Sequence, residues 1–156
     1  MLDVEQLSPS DVTIETLMKE WSNDCQVDEA EPQRELANIP KLNAKYLNIM
    51  VHHKLLAKKA TSNYYKMRRF KVMYYSGDLN NPEDLKEHNL EPFRKKILKQ
   101  DMDDWLQADE ELTQVLMKKI IHDEIVKYCE YVLKECHSRT FQLRSYIDYE
   151  KFLGGM

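Results

Sequence analysis

The chain has 156 residues, 42% hydrophobic and 32% charged, with only 3 Gly and 5 Pro. That length suits one domain with a modest core, and so few turn residues exclude an all-β chain. Three widely spaced cysteines make no disulfide framework and read as reduced thiols. No apolar run reaches the roughly 18 residues of a membrane span, and MLDVEQLSPSD lacks the basic start of a signal peptide.

The net charge of −4 conceals a segregation. Residues 1–40 carry 10 acidic and 2 basic side chains, residues 41–77 carry 9 basic and none acidic, and residues 78–156 carry 17 acidic and 12 basic. An acidic protein with one purely basic segment has a local electrostatic site.

In chain order, Ser8-Pro9-Ser10-Asp11 predicts a helix start. A short helix follows, with Val12, Ile14, Leu17, Met18 and Trp21 as its apolar pattern. Asn23 to Glu35 reads as an acidic linker, and Pro40 suits the first turn of a second helix. Alternating steps of four and three from Leu42 give Tyr46, Ile49, His53, Leu56, Ala60, Asn63, Met67, Phe70 and Tyr74. Such a seam sustained over more than four heptads predicts a helix of roughly 50 Å that needs a partner helix. Gly77 sits where a C′ glycine would end it. Pro82 to His88 and Pro92 to Lys99 are predicted as short helical turns. Asp109 is the expected cap of a long helix beginning at Glu110, with Leu112, Val115, Leu116, Ile120, Ile125, Cys129, Val132 and Cys136 along one face. A break over Ser138 to Thr140 separates a last helix bearing Phe141, Ile147 and Phe152, closed by Gly154-Gly155. The fold class is all-α, long amphipathic helices with shorter elements. The expected organisation is an acidic segment 1–37, a basic helix 38–77, a connection 78–108 and C-terminal helices 109–156 that carry oligomerisation.

Catalytic constellations are weak in the sequence: no phosphate-cradling glycine loop, no G-x-S-x-G, no HExxH. Cys25, Cys129, Cys136 and His137 lack zinc spacing, and Cys129 and Cys136 read as buried thiols. Asp101, Asp103 and Asp104 read as caps and solvated turns before a hard-cation site. His52-His53 reads as a packed pair before a ligand or pH switch. No cofactor and no metal are expected.

The basic segment carries the chemistry. Lys41, Lys45, Lys59, Lys66 and Arg69 lie on the row beside the seam, Arg68 and Lys71 on its other flank, and Lys58 further out. Tyr64, Tyr65, Tyr74 and Tyr75 are interleaved with them. Cations neutralise phosphates while aromatic faces stack on unpaired bases of any kind, the requirement for sequence-tolerant single-strand binding. A merely solvated helix would mix both signs for i,i+4 support, and a lipid-surface helix fits poorly with a tyrosine-rich seam.

Arg68-Arg69-Phe70-Lys71-Val72-Met73-Tyr74-Tyr75-Ser76-Gly77 resembles the UvsY family, the recombination mediators of T-even-type phages. Arg69 and Lys71 fall on the family's two basic positions, and Tyr74 to Gly77 match its Tyr-Tyr-Ser-Gly. Cys129 followed ten residues on by Arg139, within Ser138-Arg139-x-Phe141, is a second match; Phe152 and Gly155 match the family's ending. The likeness covers roughly 41–77 and 109–155. The order Arg then Lys, Met73 in place of an acidic residue, and the extra Tyr64-Tyr65 pair depart from the family pattern.

The resemblance implies a non-enzymatic protein of the infected host's cytoplasm that binds single-stranded DNA as a hexameric or heptameric ring. It would help a RecA-class phage recombinase replace the phage single-strand-binding protein. The nucleic-acid contacts expected are Lys58, Lys59, Lys66, Arg68, Arg69 and Lys71, with Tyr64, Tyr65, Tyr74 and Tyr75 stacking. Leu112, Leu116, Ile120, Val132, Phe141, Ile147 and Phe152 are the expected oligomer interface. The alternatives are a coiled-coil adaptor whose basic helix meets an acidic protein surface, and a metal-dependent nuclease built on Asp101 to Asp104.

Overall fold

The computed structural model describes residues 11–79 and 81–155, and the helix start expected at Ser8 to Ser10 lies outside them. Among the described residues five α-helices follow one another: α1 (Ile14–Asp24), α2 (Pro32–Ser76), α3 (Pro82–Glu87), α4 (Met102–Gln107) and α5 (Glu110–Leu153). No strand occurs among the described residues. The chain divides into two compact units, one up to Leu55 and from Ile121 onward, the other Leu56–Ile120.

The first unit is built on α1. Thr13 caps that helix by accepting from the Thr16 N–H, while the Thr16 hydroxyl oxygen accepts from the Thr13 N–H. Val12 and Leu17 flank this reciprocal cap at the positions of a hydrophobic staple, and both are buried. Leu17 and Trp21 join Ile39, Tyr46 and Ile49 of α2 and Ile125, Cys129, Val132, Cys136 and Leu143 of α5 in one core. Trp21 meets Tyr46 edge-on at 5.6 Å, a favoured aromatic geometry. Burial pushes the Cys129 thiol up to about 11, so this cysteine is an inert apolar filler, as the sequence suggests.

Polar clasps complete the unit. Arg139 donates to the carbonyls of Asp24 (3.1 Å) and Cys25 (2.9 Å), and its guanidinium lies 5.4 Å from the Trp21 ring. A cation there satisfies the acceptors that the end of α1 leaves open. The Asp24 carboxylate accepts from the Tyr46 hydroxyl at 2.9 Å and from Lys45 at 2.7 Å. The match at Cys129 and Arg139 is therefore a packing position and a helix-end clasp.

Two boundaries differ from expectation. The α2 helix starts at Pro32, not Pro40. An Asp28 turn accepting from the Ala30 N–H leads into Glu31, whose carbonyl takes the first helical bond from Glu35. Pro32 then occupies the position where its missing N–H costs nothing. Pro40 lies inside the helix on its exposed side, between Ile39 and Tyr46, which anchor α2 to the core. Likewise α5 runs unbroken through Ser138 to Thr140. Thr140 returns its hydroxyl to the Cys136 carbonyl, and Arg139 is held by α1, so the polar run is absorbed without a break.

In the second unit, Ala57, Ala60, Leu85, Leu106 and Leu112 are buried. Gly77, at φ +81°, ends α2: its N–H bonds the Tyr74 carbonyl and the Asp78 N–H reaches back to Met73, the Schellman arrangement. Asn81 caps α3 through the Glu83 N–H. The expected helix over Pro92 to Lys99 does not form; regular structure resumes at the 3₁₀ turn Lys99–Asp101. Phe93 instead inserts between Tyr74, Tyr75 and Trp105 with ring centroids 5.2–5.7 Å apart. Asp109 caps α5 as expected, accepting from the Leu112 N–H at 2.8 Å.

Candidate nucleic-acid interface

The seam read from the sequence is the buried face of α2: Tyr46, Ile49, His53 and Ala60 are buried and Leu42, Leu56, Met67, Phe70 and Tyr74 half-buried, with Asn63 alone exposed. Packing of that face turns the neighbouring row outward. Lys58, Lys59, Lys66 and Arg69 are exposed, and none makes an ion pair among the described residues. Lys59, Lys66 and Arg69 share one ridge, about 15 Å from first to last at the helical rise. Tyr64 and Tyr65 lie on the same stretch with ring centroids 5.5 Å apart, and Tyr65 is 64% exposed. Arg68 reaches Asp103 at 3.0 Å, a solvent-exposed pair of small energy.

Lys71 stands apart from this row. It is 4% exposed and its ammonium lies 3.0 Å from Asp109 and 2.8 Å from Glu111. Burial opposes its charge, but the bonds it donates to Glu111 and Asp109 outweigh burial and hold the ammonium above its ordinary value. Burial likewise opposes the Asp109 carboxylate, yet the Tyr75 hydroxyl at 2.7 Å, the Leu112 N–H and Lys71 keep it below the usual range. Tyr74 gives its hydroxyl to the Glu91 carbonyl at 2.8 Å. Lys71, Tyr74 and Tyr75, expected to touch DNA, are occupied by the protein itself.

The docked connection also brings cations that the sequence reading passed over. Phe93 is followed by Arg94, Lys95 and Lys96, all exposed, and Lys95 lies 5.5 Å over the Trp105 ring. The signal was the aromatic residue directly ahead of the basic run.

The expected oligomer residues divide in the same way. Leu112 and Val132 are buried within their own units. Leu116 and Ile147 are half-buried, whereas Ile120, Phe141 (57%) and Phe152 (79%) are exposed. Tyr149 and Leu153 are exposed beside the last two on α5. Among the described residues no three His, Cys, Asp or Glu side chains are grouped to hold a metal ion. No helix of the described residues is long and apolar enough to cross a membrane.

A family model described as "Recombination, repair and ssDNA binding protein UvsY" matches residues 20–156. Among solved structures, the bacteriophage T4 recombination mediator protein UvsY in lattice type II superposes with a TM-score of 0.80 at 23% identity, over 92% of this chain and 98% of that one. The same protein in lattice type IV gives 0.80 at 22% identity, over 90% and 99%. No curated protein matches the chain.

Proposed function

The chain belongs to the UvsY family of recombination, repair and single-stranded-DNA-binding proteins, and on that premise we propose that it is a non-enzymatic recombination mediator. It binds single-stranded DNA along α2 and helps a RecA-class phage recombinase displace the phage single-strand-binding protein, in the cytoplasm of the infected cell. The observation that carries this reading is the ridge of exposed, unpaired cations Lys59, Lys66 and Arg69, with Lys58 beside it, on a helix stretch without a carboxylate.

Phosphates lie along that ridge, Arg68 exchanges Asp103 for a phosphate, and Tyr64 and Tyr65 offer faces to bases. Lys71, Tyr74 and Tyr75 act from below: they fix the end of α2 and the connection that presents Arg94 and Lys96. The exposed aromatic end of α5, with Phe141 and Phe152, joins copies into a hexameric or heptameric ring. A ring repeats one weak patch several times, and linked weak sites gain avidity without new contacts.

The test is anisotropy of a labelled single strand titrated at several salt concentrations, beside a duplex control. Binding should favour the single strand, with a log–log salt slope of roughly −0.7 per phosphate contact. The triple substitution Lys59→Ala/Lys66→Ala/Arg69→Ala should weaken binding by about 10²-fold and flatten the slope by roughly 2, at unchanged mass in light scattering. An unchanged slope would remove the strand from this ridge. Displacement of bound oligonucleotide by an acidic polypeptide, with no preference for single strand over duplex, would favour the adaptor reading instead.

A further inference from the structure

Beyond the ridge, the second unit holds an open groove of about 330 Å³, at the small end of ligand clefts, which run from roughly 300 to 1,000 Å³. Its chemistry is mixed in an ordered way. Phe70, Met73 and Leu79 supply the apolar lining, and Lys66 and Arg69, the same two cations that close the ridge, stand along it. Asp84 and Glu87 of α3 bring two carboxylates to the groove. The His88 ring stacks on Phe70 at 4.1 Å and 36°, and the imidazole itself is exposed.

Each part matches one part of a nucleotide. An exposed ring already stacked on another is a platform for a flat base. Cations next to it hold the phosphates on either side. Carboxylates are acceptors only, so they favour a base that presents an exocyclic amine, as cytosine does through N4, and disfavour thymine, whose O4 is an acceptor. A purely electrostatic surface would have no use for two carboxylates beside its cations, since they repel the backbone.

We propose that this groove seats one unstacked base of the bound strand and prefers bases carrying an exocyclic amine. The inference rests on the single-strand reading above and adds a base preference to it. The occupant follows from charge complementarity and from continuity with the ridge through Lys66 and Arg69.

The experiment compares labelled oligo(dC) and oligo(dT) of equal length, at one salt concentration, with the full chain. Oligo(dC) should bind about fivefold more tightly, the low end of what one good polar base contact discriminates. Asp84→Asn/Glu87→Gln should abolish the preference while oligo(dT) binds as well as before or better, because two repelling charges are gone. His88→Ala, at an exposed position, should weaken both oligomers by about threefold through lost stacking. It also tests the groove if the double variant fails to fold. Equal binding of the two oligomers with salt-dependent affinity intact would overturn the groove and leave the single-strand reading standing. A preference that survives in Asp84→Asn/Glu87→Gln would also overturn it. Failure to bind either oligomer at low salt would overturn both.

Discussion

Lys71 shows how a cation can sit on a recognisable basic motif and yet be unavailable to a ligand. Two carboxylates neutralise it, and Asp109 is further held by the Tyr75 hydroxyl and the Leu112 N–H. Removing one partner of such a cluster leaves a buried charge behind, which is where the cost arises. Lys71→Met should therefore lower stability by about 2–4 kcal/mol, softened because Asp109 keeps two donors, while the salt slope of DNA binding stays as in the parent. The pH dependence has a defined sign. Asp109 is depressed in the folded state, so its contribution is present above its ordinary value of 3.8 and is lost as pH falls through the folded one. Lys71 is raised, so its contribution is present below 10.5 and is lost as pH rises past the folded value. Thermal melts across pH should show the gap between parent and Lys71→Met widest at neutral pH and closing in acid. A gap that instead appears as a change in salt slope would return Lys71 to the DNA.

At the scale of elements, α2 and α5 are joined in the first unit by His53 and His122, whose Nδ1 atoms lie 3.0 Å apart. Two ring nitrogens at that distance share one proton, so the contact requires at least one neutral imidazole. Burial holds His122 below its ordinary value of 6.5, helped by the charge of His52 and opposed by Asp123. A base depressed in the folded state contributes stability above 6.5 that is lost as pH falls. Melting temperature should drop more between pH 7 and pH 5 in the parent than in His122→Asn, which keeps a hydrogen-bonding group but does not titrate. Parallel curves would mean the pair is not a pH-sensitive joint. The helices themselves were legible because their evidence is periodic: the seam from Leu42 to Tyr74, the Gly77 stop and the Asp109 cap all stand in the structure. The helix start expected at Pro40 and the break expected at Ser138 to Thr140 rest on local signals that long-range packing overrides, through Ile39 and Tyr46 in one case and Arg139 in the other. The outward ridge was legible because burying the seam fixes what faces water. The roles of Lys71, Tyr74, Tyr75 and Phe93 were not, because their partners, Asp109, Glu111 and Glu91 for the first three and Trp105 for Phe93, come from segments that periodicity does not relate.

For the whole molecule, the difficulty is that a chain of net charge −4 has to hold a polyanion. Long-range fields fade within about 10 Å at moderate salt, so the local ridge can act, but three or four cations per copy give a weak site. Assembly is the means available for strengthening it, and the exposed aromatic end of α5 is the surface we assign to that role. Phe141 and Phe152, at 57% and 79% exposure, leave large rings in water that a lone copy gains nothing from. Phe141→Ser/Phe152→Ser should reduce the light-scattering mass toward that of one chain with its helix content retained, since neither ring belongs to the core; the melting temperature should fall only by what assembly contributed. Affinity for a strand long enough to visit several copies should fall by about 10²-fold or more. A strand that spans one ridge should bind with unchanged affinity and an unchanged salt slope, because its contacts on α2 are untouched. Loss of long-strand affinity at unchanged mass would mean that the end of α5 meets DNA directly. Unchanged mass together with unchanged affinity would move the assembly surface elsewhere on the chain.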